Sequence, residues 1–297
     1  MRYLLLVLLS CLCLHVQAES IPPLKGEWQL VLNEEFNSFN QDVWSFGDSW
    51  QDVLPPEPAM NFFSAENINF QDGRLILEIK KQDLSCCKLT DKAQAKVRNY
   101  KFSTGAVNSF GKFKFLYGYI EAAIKLPQAK GLWSAFWLMP DRGLDVENYD
   151  RANLKELRST EYIKESETIV VGKGMEIDIM EQLSEWDQQK FSYAIHWDGY
   201  QEKKKSFEGR YFLKDKKKND FVRFGLYWAP DKLVWFANGK KVAENNSKRI
   251  ADVPMYIILN NFVGGWATPR KEYHGFPEQM EIDYLRIWQR PKPETKL

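Results

Sequence analysis

Three carboxylates, Glu176, Asp178 and Glu181, fall within six residues of otherwise apolar sequence. Successive side chains of a β-strand point to opposite faces, so Glu176 and Asp178 are expected on the same face. Glu181 is an odd number of positions from Glu176, and a regular strand would turn it away. One extra residue, a β-bulge near Ile179-Met180, returns Glu181 to the side of the other acids. A helix would splay the two glutamates apart, so the sequence predicts a bulged strand.

The chemistry of such a row follows from its electrostatics. Three neighbouring carboxylates repel one another, which tends to keep at least one of them protonated near neutral pH. A protonated acid beside an ionised carboxylate is the pair that hydrolysis of a glycosidic bond uses. The alternative is an edge strand whose acids face solvent, but the flanking residues are too apolar for a solvated strand.

The composition is that of an ordinary globular protein. Of its 297 residues 44% are hydrophobic and 27% charged, enough to bury a sizeable core. The 41 basic and 40 acidic residues nearly cancel, so no overall field indicates nucleic acid or a membrane as partner. There are 11 tryptophans, and a β-protein so rich in them often exposes several as platforms for sugar rings.

The first residues, 1–18, are predicted to be a signal peptide. A short positive start precedes an apolar run, 3–14, that is too short to span a bilayer comfortably. Small residues then allow cleavage before Glu19. A competing interpretation is a lipoprotein cleavage box at 8–11. The sequence therefore predicts a secreted or periplasmic protein, and no other segment approaches membrane length.

Two cysteines, Cys86 and Cys87, would remain after removal of the signal peptide, and they are adjacent. Neighbouring cysteines rarely pair, because the small ring strains the peptide between them. They are therefore expected to be free thiols or a rare vicinal disulfide.

Most of the mature chain is predicted to be strands at short spacing, which favours one antiparallel β-sandwich domain at 26–290 with a C-terminal tail at 291–297. Apolar and polar residues alternate through the long stretch 113–126, which is interrupted by Gly118. A charged segment, 141–173, interrupts the pattern. It has two interpretations: a solvated surface excursion, or a loop that walls one end of a cleft.

Several motifs resemble those of glycoside hydrolase family 16, the group of laminarinases, lichenases, agarases and carrageenases. They occur in the order that the family has and extend over nearly the whole mature chain. The matching segments are 117–122, 125–127, 131–140, 174–181, 225–228, 259–260, 264–266 and 280–287, together with His196.

The resemblance implies an all-β fold: an antiparallel β-jelly-roll sandwich of the concanavalin A-like kind, with an open cleft on its concave face. It also implies a monomer that cleaves internal β-linkages of a polysaccharide with retention and needs no cofactor for catalysis. Glu176 would be the nucleophile, Glu181 the acid/base and Asp178 the assisting residue between them. A structural Ca²⁺ on the convex face would take Asp283 as its side-chain ligand.

Four further residues are similar to substrate-binding residues of the family. Trp133 and Trp137 are expected on one strand face, Trp133 as a sugar platform and Trp137 either as a platform or as core. His196 would lie near the sugar at the cleavage point. Trp266 follows two glycines that allow close approach, and it is a candidate for a further platform.

The substrate is the least determined feature. Laminarinases typically carry arginines where this chain has Tyr119 and Ala123, and a proline where it has Ser134. The resemblance implies a β-1,3-glucan as the first candidate and a galactan such as agar or porphyran as the second. A catalytically silent glucan-recognition protein is the alternative from another class. The presence of both glutamates favours the enzyme.

Overall fold

Strands make up almost all the regular structure in the computed structural model. The structure describes residues 22–47, 59–82, 100–140, 176–184, 189–197, 205–217, 219–247, 249–267 and 274–291. The predicted signal peptide, the two adjacent cysteines, the charged segment and residues 292–297 lie outside the described residues.

The described residues contain seventeen strands and one short 3-10 helix, Ala65–Asn67. In chain order, β1 to β17 are Gln29–Glu34, Ser45–Phe46, Asn61–Phe63, Ile68–Gln71, Arg74–Lys81, Phe102–Thr104, Ala106–Asn108, Gly118–Lys125, Leu132–Pro140, Glu176–Leu183, Lys190–Trp197, Lys205–Phe212, Val222–Ala229, Lys232–Ala237, Lys240–Asn245, Met255–Val263 and Glu278–Gln289. Among these residues there is no helix with the length and apolar character to cross a membrane.

The strands form two sheets. The larger has ten strands in the order β15-β14-β13-β8-β17-β5-β6-β3, with β1 beside β17 and β4 beside β5. The smaller has seven, in the order β12-β11-β10-β9-β16-β7-β2. Neighbouring strands of the described chain run antiparallel except β3 and β6, which run parallel. The predicted antiparallel jelly-roll sandwich is therefore confirmed, with one short parallel pair.

The core lies between the two sheets and follows from the alternation of side chains along each strand. On β8 of the larger sheet, Ile120 and Ile124 point inward and are fully buried. On β9 of the smaller sheet, Phe136 and Leu138 do the same. Burial of each such side chain contributes about 1.5–3 kcal/mol. Because these residues bury the inner face, the intervening positions of β9 and β10 are presented on the outer face of the seven-stranded sheet, here called the site face.

One predicted strand is shorter than its pattern suggested. The alternation ran through 113–126, but β8 begins only at Gly118. Tyr117 has a φ of 61° and Gly118 a φ of 129°, which interrupts the extended backbone. A Cβ at Gly118 would lie 2.3 Å from the main-chain oxygen of Trp288, so glycine is required at this close approach of β8 to β17.

Candidate active site

The bulge predicted in the acidic strand is present in β10. Asp178 pairs with Ala194 of β11, and the next registered pair is Glu181 with Ser192, so the register shifts between the two acids. Ala194 and Ser192 are two positions apart and share a face, which places Asp178 and Glu181 on that same face. Glu176 pairs with His196 and has the same orientation. The three acids therefore lie together on the site face.

The residues of the bulge bury the other side of β10. Ile177, Ile179 and Met180 are all 0–1% exposed and pack in the core between the sheets. Two consecutive core residues, Ile179 and Met180, occupy the bulge, where a regular strand would hold one. The apolar flanks that argued against a solvated strand thus anchor the acids from behind.

The acidity of Glu181 is changed by its surroundings. Burial is the largest cause and raises the pKa of its carboxyl well above the usual value, and the charges of Asp178 and Glu176 raise it further. A hydrogen bond from Trp133 and the nearby His196 act in the opposite direction, but they are weaker. Glu181 is therefore suited to hold a proton near neutral pH, as an acid catalyst must.

Trp133 contacts Glu181 directly. Its indole Nε1 donates a hydrogen bond of 2.9 Å to Oε1 of Glu181. Its ring packs against Phe262 of β16, with ring centroids 4.5 Å apart. The sequence predicted Trp133 as a sugar platform; the structure adds an electrostatic role, because the indole N–H stabilises the ionised carboxylate.

Asp178 and His196 form the second polar contact of the site. His196 Nε2 lies 3.2 Å from Oδ2 of Asp178, whose side chain is 3% exposed. From the core behind the strand, Trp235 Nε1 donates a 2.9 Å hydrogen bond to the main-chain oxygen of Asp178. Both contacts restrict Asp178, which lies between the two glutamates.

Trp137 has core packing, as one of the two alternatives from the sequence predicted, and its role as a sugar platform stays a prediction. The side chain is half-buried and packs against the group Phe110, Met139, Tyr256 and Ile258. Its indole Nε1 donates a 3.1 Å hydrogen bond to Oδ1 of Asn260. It lies opposite Asp178 in the pairing of β9 with β10, and so remains next to the acids.

Trp266 is the most exposed large apolar residue of the described chain, at 71%. It approaches Trp133 edge-on, with ring centroids 6.3 Å apart. Gly264 and Gly265 precede it with φ values of 74° and 67°. A Cβ at Gly265 would lie 2.9 Å from Cε3 of Trp133, so the glycine permits this approach. The predicted close approach through two glycines is thus present.

Asn260 is a site residue that sequence reasoning did not single out. It lies on β16 opposite Ala135 of β9, and Ala135 lies opposite Glu181. The side chain is 0% exposed, and its Nδ2 finds no acceptor in the described structure. Its neighbours across the sheet are both small, Ala135 on β9 and Ala106 on β7. The signal in the sequence was a pair of asparagines, 260–261, inside an otherwise apolar strand.

The side chains of the three residues that differ from the laminarinase pattern do not lie on the site face. Tyr119 is fully buried on the outer side of the larger sheet, where its hydroxyl donates a 2.6 Å hydrogen bond to Glu121. Ala123 has the same orientation on β8. Ser134 points into the core and donates a 2.6 Å hydrogen bond to Asn261. These positions therefore carry little information about the substrate.

Asp283, the predicted calcium ligand, has a cationic neighbour. Its Oδ1 lies 3.5 Å from Nε of Arg74. Within the part of the chain that the structure describes, the group of three or more potential metal-binding side chains is Glu176, Asp178 and His196, and Asp283 does not belong to it. The described residues thus offer no side-chain set for Ca²⁺ around Asp283, and the ion stays a prediction.

Fold and site together define a class: a β-sandwich that carries, on one sheet face, the paired acids of glycosidic-bond chemistry. The family model of glycosyl hydrolases family 16 matches residues 59–164 and 157–286. The chain belongs to this family.

Individual relatives are distant in sequence. The chain is 24% identical to the clotting factor G alpha subunit of Tachypleus tridentatus, over 96% of this chain and 38% of that protein. It is 25% identical to glucan endo-1,3-beta-glucosidase A1 of Niallia circulans, over 87% of this chain and 37% of that protein. The chain thus spans less than half the length of these two relatives.

A solved structure supports the fold. The catalytic domain of an endo-1,3-beta-glucanase (laminarinase) from Thermotoga petrophila RKU-1 superposes with a TM-score of 0.67 at 25% identity. The superposition covers 89% of this chain and 98% of that domain.

Proposed function

We propose that this protein is a retaining endo-β-glycanase that hydrolyses internal linkages of a β-1,3-glucan. The observation that carries the proposal is the row Glu176, Asp178 and Glu181 on one bulged strand, with the pKa of Glu181 raised by burial and by its acidic neighbours. The substrate follows from the glucanases among its relatives.

In the first step, the carboxylate of Glu176 attacks the anomeric carbon of the sugar. Glu181 gives its proton to the glycosidic oxygen, so the bond to the leaving sugar breaks and that sugar departs as an alcohol. A covalent glycosyl ester on Glu176 results. The reaction needs these two carboxyl groups and water, and no redox or cofactor chemistry enters it.

In the second step, Glu181 acts as a base. Esterification has removed the negative charge of Glu176, which is one of the charges that raise the pKa of Glu181. The pKa of Glu181 therefore falls in the intermediate, and its ionised form can accept a proton from water. The water oxygen attacks the anomeric carbon, and Glu176 is released as a carboxylate. The same neighbour thus helps Glu181 to alternate between acid and base.

Asp178 and His196 assist Glu181 in its change from acid to base. The contact of 3.2 Å between them helps to hold the side chain of Asp178, which is almost fully buried, next to the two glutamates. Asp178 remains close enough to raise the pKa of Glu181 in the first step. Asp178 thus adjusts the pKa of Glu181, whereas Glu176 forms a bond to the substrate and Glu181 transfers protons.

The remaining aromatic and amide groups would bind the polymer. Trp133, Trp137 and Trp266 offer ring faces or edges along the site face, and Asn260 offers a buried amide between two alanines. An endo mode of attack is proposed because the family resemblance implies an open cleft, and an open cleft accepts a chain that continues in both directions.

The activity is tested with a panel of laminarin, lichenan, agarose, porphyran and κ-carrageenan, with product sizing at early times. The proposal expects laminarin to be cleaved fastest and to yield a range of oligosaccharides. Glu181→Gln, which keeps the shape of the side chain, is the matched inactive control. Preferred cleavage of agarose or porphyran would replace the glucanase with the galactanase. Release of a single small sugar would exclude an endo mode, and binding without cleavage would indicate a recognition protein.

The setting of the enzyme is also a proposal. Export with removal of residues 1–18 would place it outside the cytoplasm, and a monomer acting on polysaccharide is proposed. N-terminal sequencing of the protein recovered from its host, and light scattering in solution, test these two points. A retained N-terminus or a stable dimer would contradict them.

A further inference from the structure

The residues at one end of the catalytic row have a second chemical property: they form a potential ligand set for a transition metal. One ligand atom each from Glu176, Asp178 and His196 lies within 4.8 Å of the other two. Glu176 and Asp178 are two positions apart on β10 and therefore share a face. His196 lies directly opposite Glu176 on β11. Because backbone pairing holds the three positions, the set does not depend on a flexible loop.

From this geometry we infer that Zn²⁺ binds to Glu176, Asp178 and His196 and thereby blocks the nucleophile. A structural or catalytic zinc site takes nitrogen and oxygen ligands at about 2.0–2.2 Å. Two ligands of a tetrahedral site are then roughly 3.4 Å apart. The 3.2 Å between His196 Nε2 and Asp178 Oδ2 is close to that separation.

The charge of the site favours a cation. The set brings together two carboxyl groups and one imidazole, so it offers more acidic than basic ligands. A zinc ion held by these three side chains would offset the negative charge of the two carboxylates. Trp235 holds the main chain of Asp178 from behind, which reduces the reorganisation that metal binding requires.

The ligand set also indicates which metals bind. Ca²⁺ and Mg²⁺ prefer six or more oxygen ligands, and an imidazole nitrogen serves them poorly. Zn²⁺ and Cu²⁺ accept an imidazole together with carboxylates. Two carboxylates and one imidazole therefore select a transition metal over the alkaline-earth ions.

Isothermal titration of ZnCl₂ into the metal-free, tag-free mature protein tests the binding. Cys86→Ser and Cys87→Ser are introduced first, because thiolates are themselves zinc ligands. One binding site is expected, which excess MgCl₂ or CaCl₂ does not displace. His196→Ala should weaken the affinity at least tenfold. The only other histidine outside the predicted signal peptide, His274, supplies the matched control: His274→Ala should leave the affinity unchanged.

Two further measurements keep the inference open to refutation. Asp178→Asn preserves shape and should weaken zinc binding as well, so it carries the test if His196→Ala fails to fold. In the unmutated site, an excess of laminarin oligosaccharide should compete with zinc. Absence of a binding site, or full affinity in His196→Ala or Asp178→Asn, would overturn the inference, as would loss of affinity in His274→Ala.

The inhibitory half of this inference rests on the proposed function. Zn²⁺ should raise the KM for laminarin without lowering kcat, and a chelator should reverse the effect. If the protein cleaves no polysaccharide, the proposed function fails while the titration still decides whether zinc binds. If it cleaves laminarin and zinc neither binds nor inhibits, the zinc site alone is wrong.

Discussion

Trp133 donates a 2.9 Å hydrogen bond from its indole nitrogen to Oε1 of Glu181. The bond joins a residue of β9 to the proposed acid/base on β10, and it lowers the pKa of a carboxyl that burial and two acidic neighbours raise. The proton affinity of Glu181 is therefore a balance that substitutions can move in either direction.

Trp133→Phe removes the hydrogen bond and keeps a ring. The pKa of Glu181 should then rise further, and the alkaline limb of the kcat/KM profile should move to higher pH, because the first step needs protonated Glu181. Trp137→Phe is the control, since its indole bonds to Asn260 and not to an acid. A shift of that limb to lower pH, or an equal shift in the control, would show that the bond does not tune Glu181.

Asp178→Asn should have the opposite effect on the alkaline limb of the kcat/KM profile. The substitution removes a charge that raises the pKa of Glu181, so the alkaline limb should shift to lower pH, with folding retained. Glu27→Gln, an exposed acid before β1, serves as the control. An unchanged profile with full activity would remove Asp178 from the mechanism.

Glu181→Gln should abolish activity. At neutral and alkaline pH it should also stabilise the fold, because it removes a buried carboxyl that would otherwise ionise. The folded state raises the pKa of Glu181, so its contribution to stability is present at low pH and is lost as the pH rises through the folded pKa. The gain in Tm over wild type should therefore be larger at pH 8 than at pH 4. Thermal melts at both values measure it. A gain that was larger at pH 4 would contradict the sign.

Trp266→Ala should weaken substrate binding without affecting the fold. Loss of one exposed ring contact costs about 1 kcal/mol, which corresponds to a roughly fivefold rise in KM for the polymer. The Tm should hardly change, because the side chain is 71% exposed. Leu30→Ala, at an exposed position of β1 in the other sheet, is the control and should leave KM unchanged. An unchanged KM in Trp266→Ala would exclude Trp266 as a platform.

Local patterns predicted much of this architecture. The odd spacing of Glu181 from Glu176 in an apolar strand predicted the bulge at Ile179-Met180, which is present. An Asn-Gly pair between two strands favours a two-residue hairpin, and Asn238-Gly239 joins β14 and β15 with φ values of 49° and 75°. In both cases the information lies within a few neighbouring residues.

Contacts between distant strands were not predictable in the same way. The bond from Trp133 to Glu181 and the position of Asn260 depend on the register of β9 against β10 and β16, which no single strand encodes. The orientation of Tyr119, away from the site, likewise required knowledge of which face of β8 packs against the smaller sheet. The sequence therefore named the acids, Trp133 and His196, but not the contacts through which these residues shift the pKa of Glu181.

The most direct test of the account separates the roles of Glu176 and Glu181. Both Glu176→Ala and Glu181→Ala should reduce hydrolysis of the natural polymer by several orders of magnitude, because each removes a group that acts in the transition state. Each variant is then given an activated β-glycoside and azide, and the configuration of the product is determined by NMR.

With the nucleophile removed, azide should attack directly and give an α-glycosyl azide of inverted configuration from Glu176→Ala. With the acid/base removed, the activated substrate should still form the covalent intermediate, and azide should give a β-glycosyl azide of retained configuration from Glu181→Ala. The opposite pair of configurations would show that the two roles are reversed. Wild-type activity in either variant would contradict the site itself.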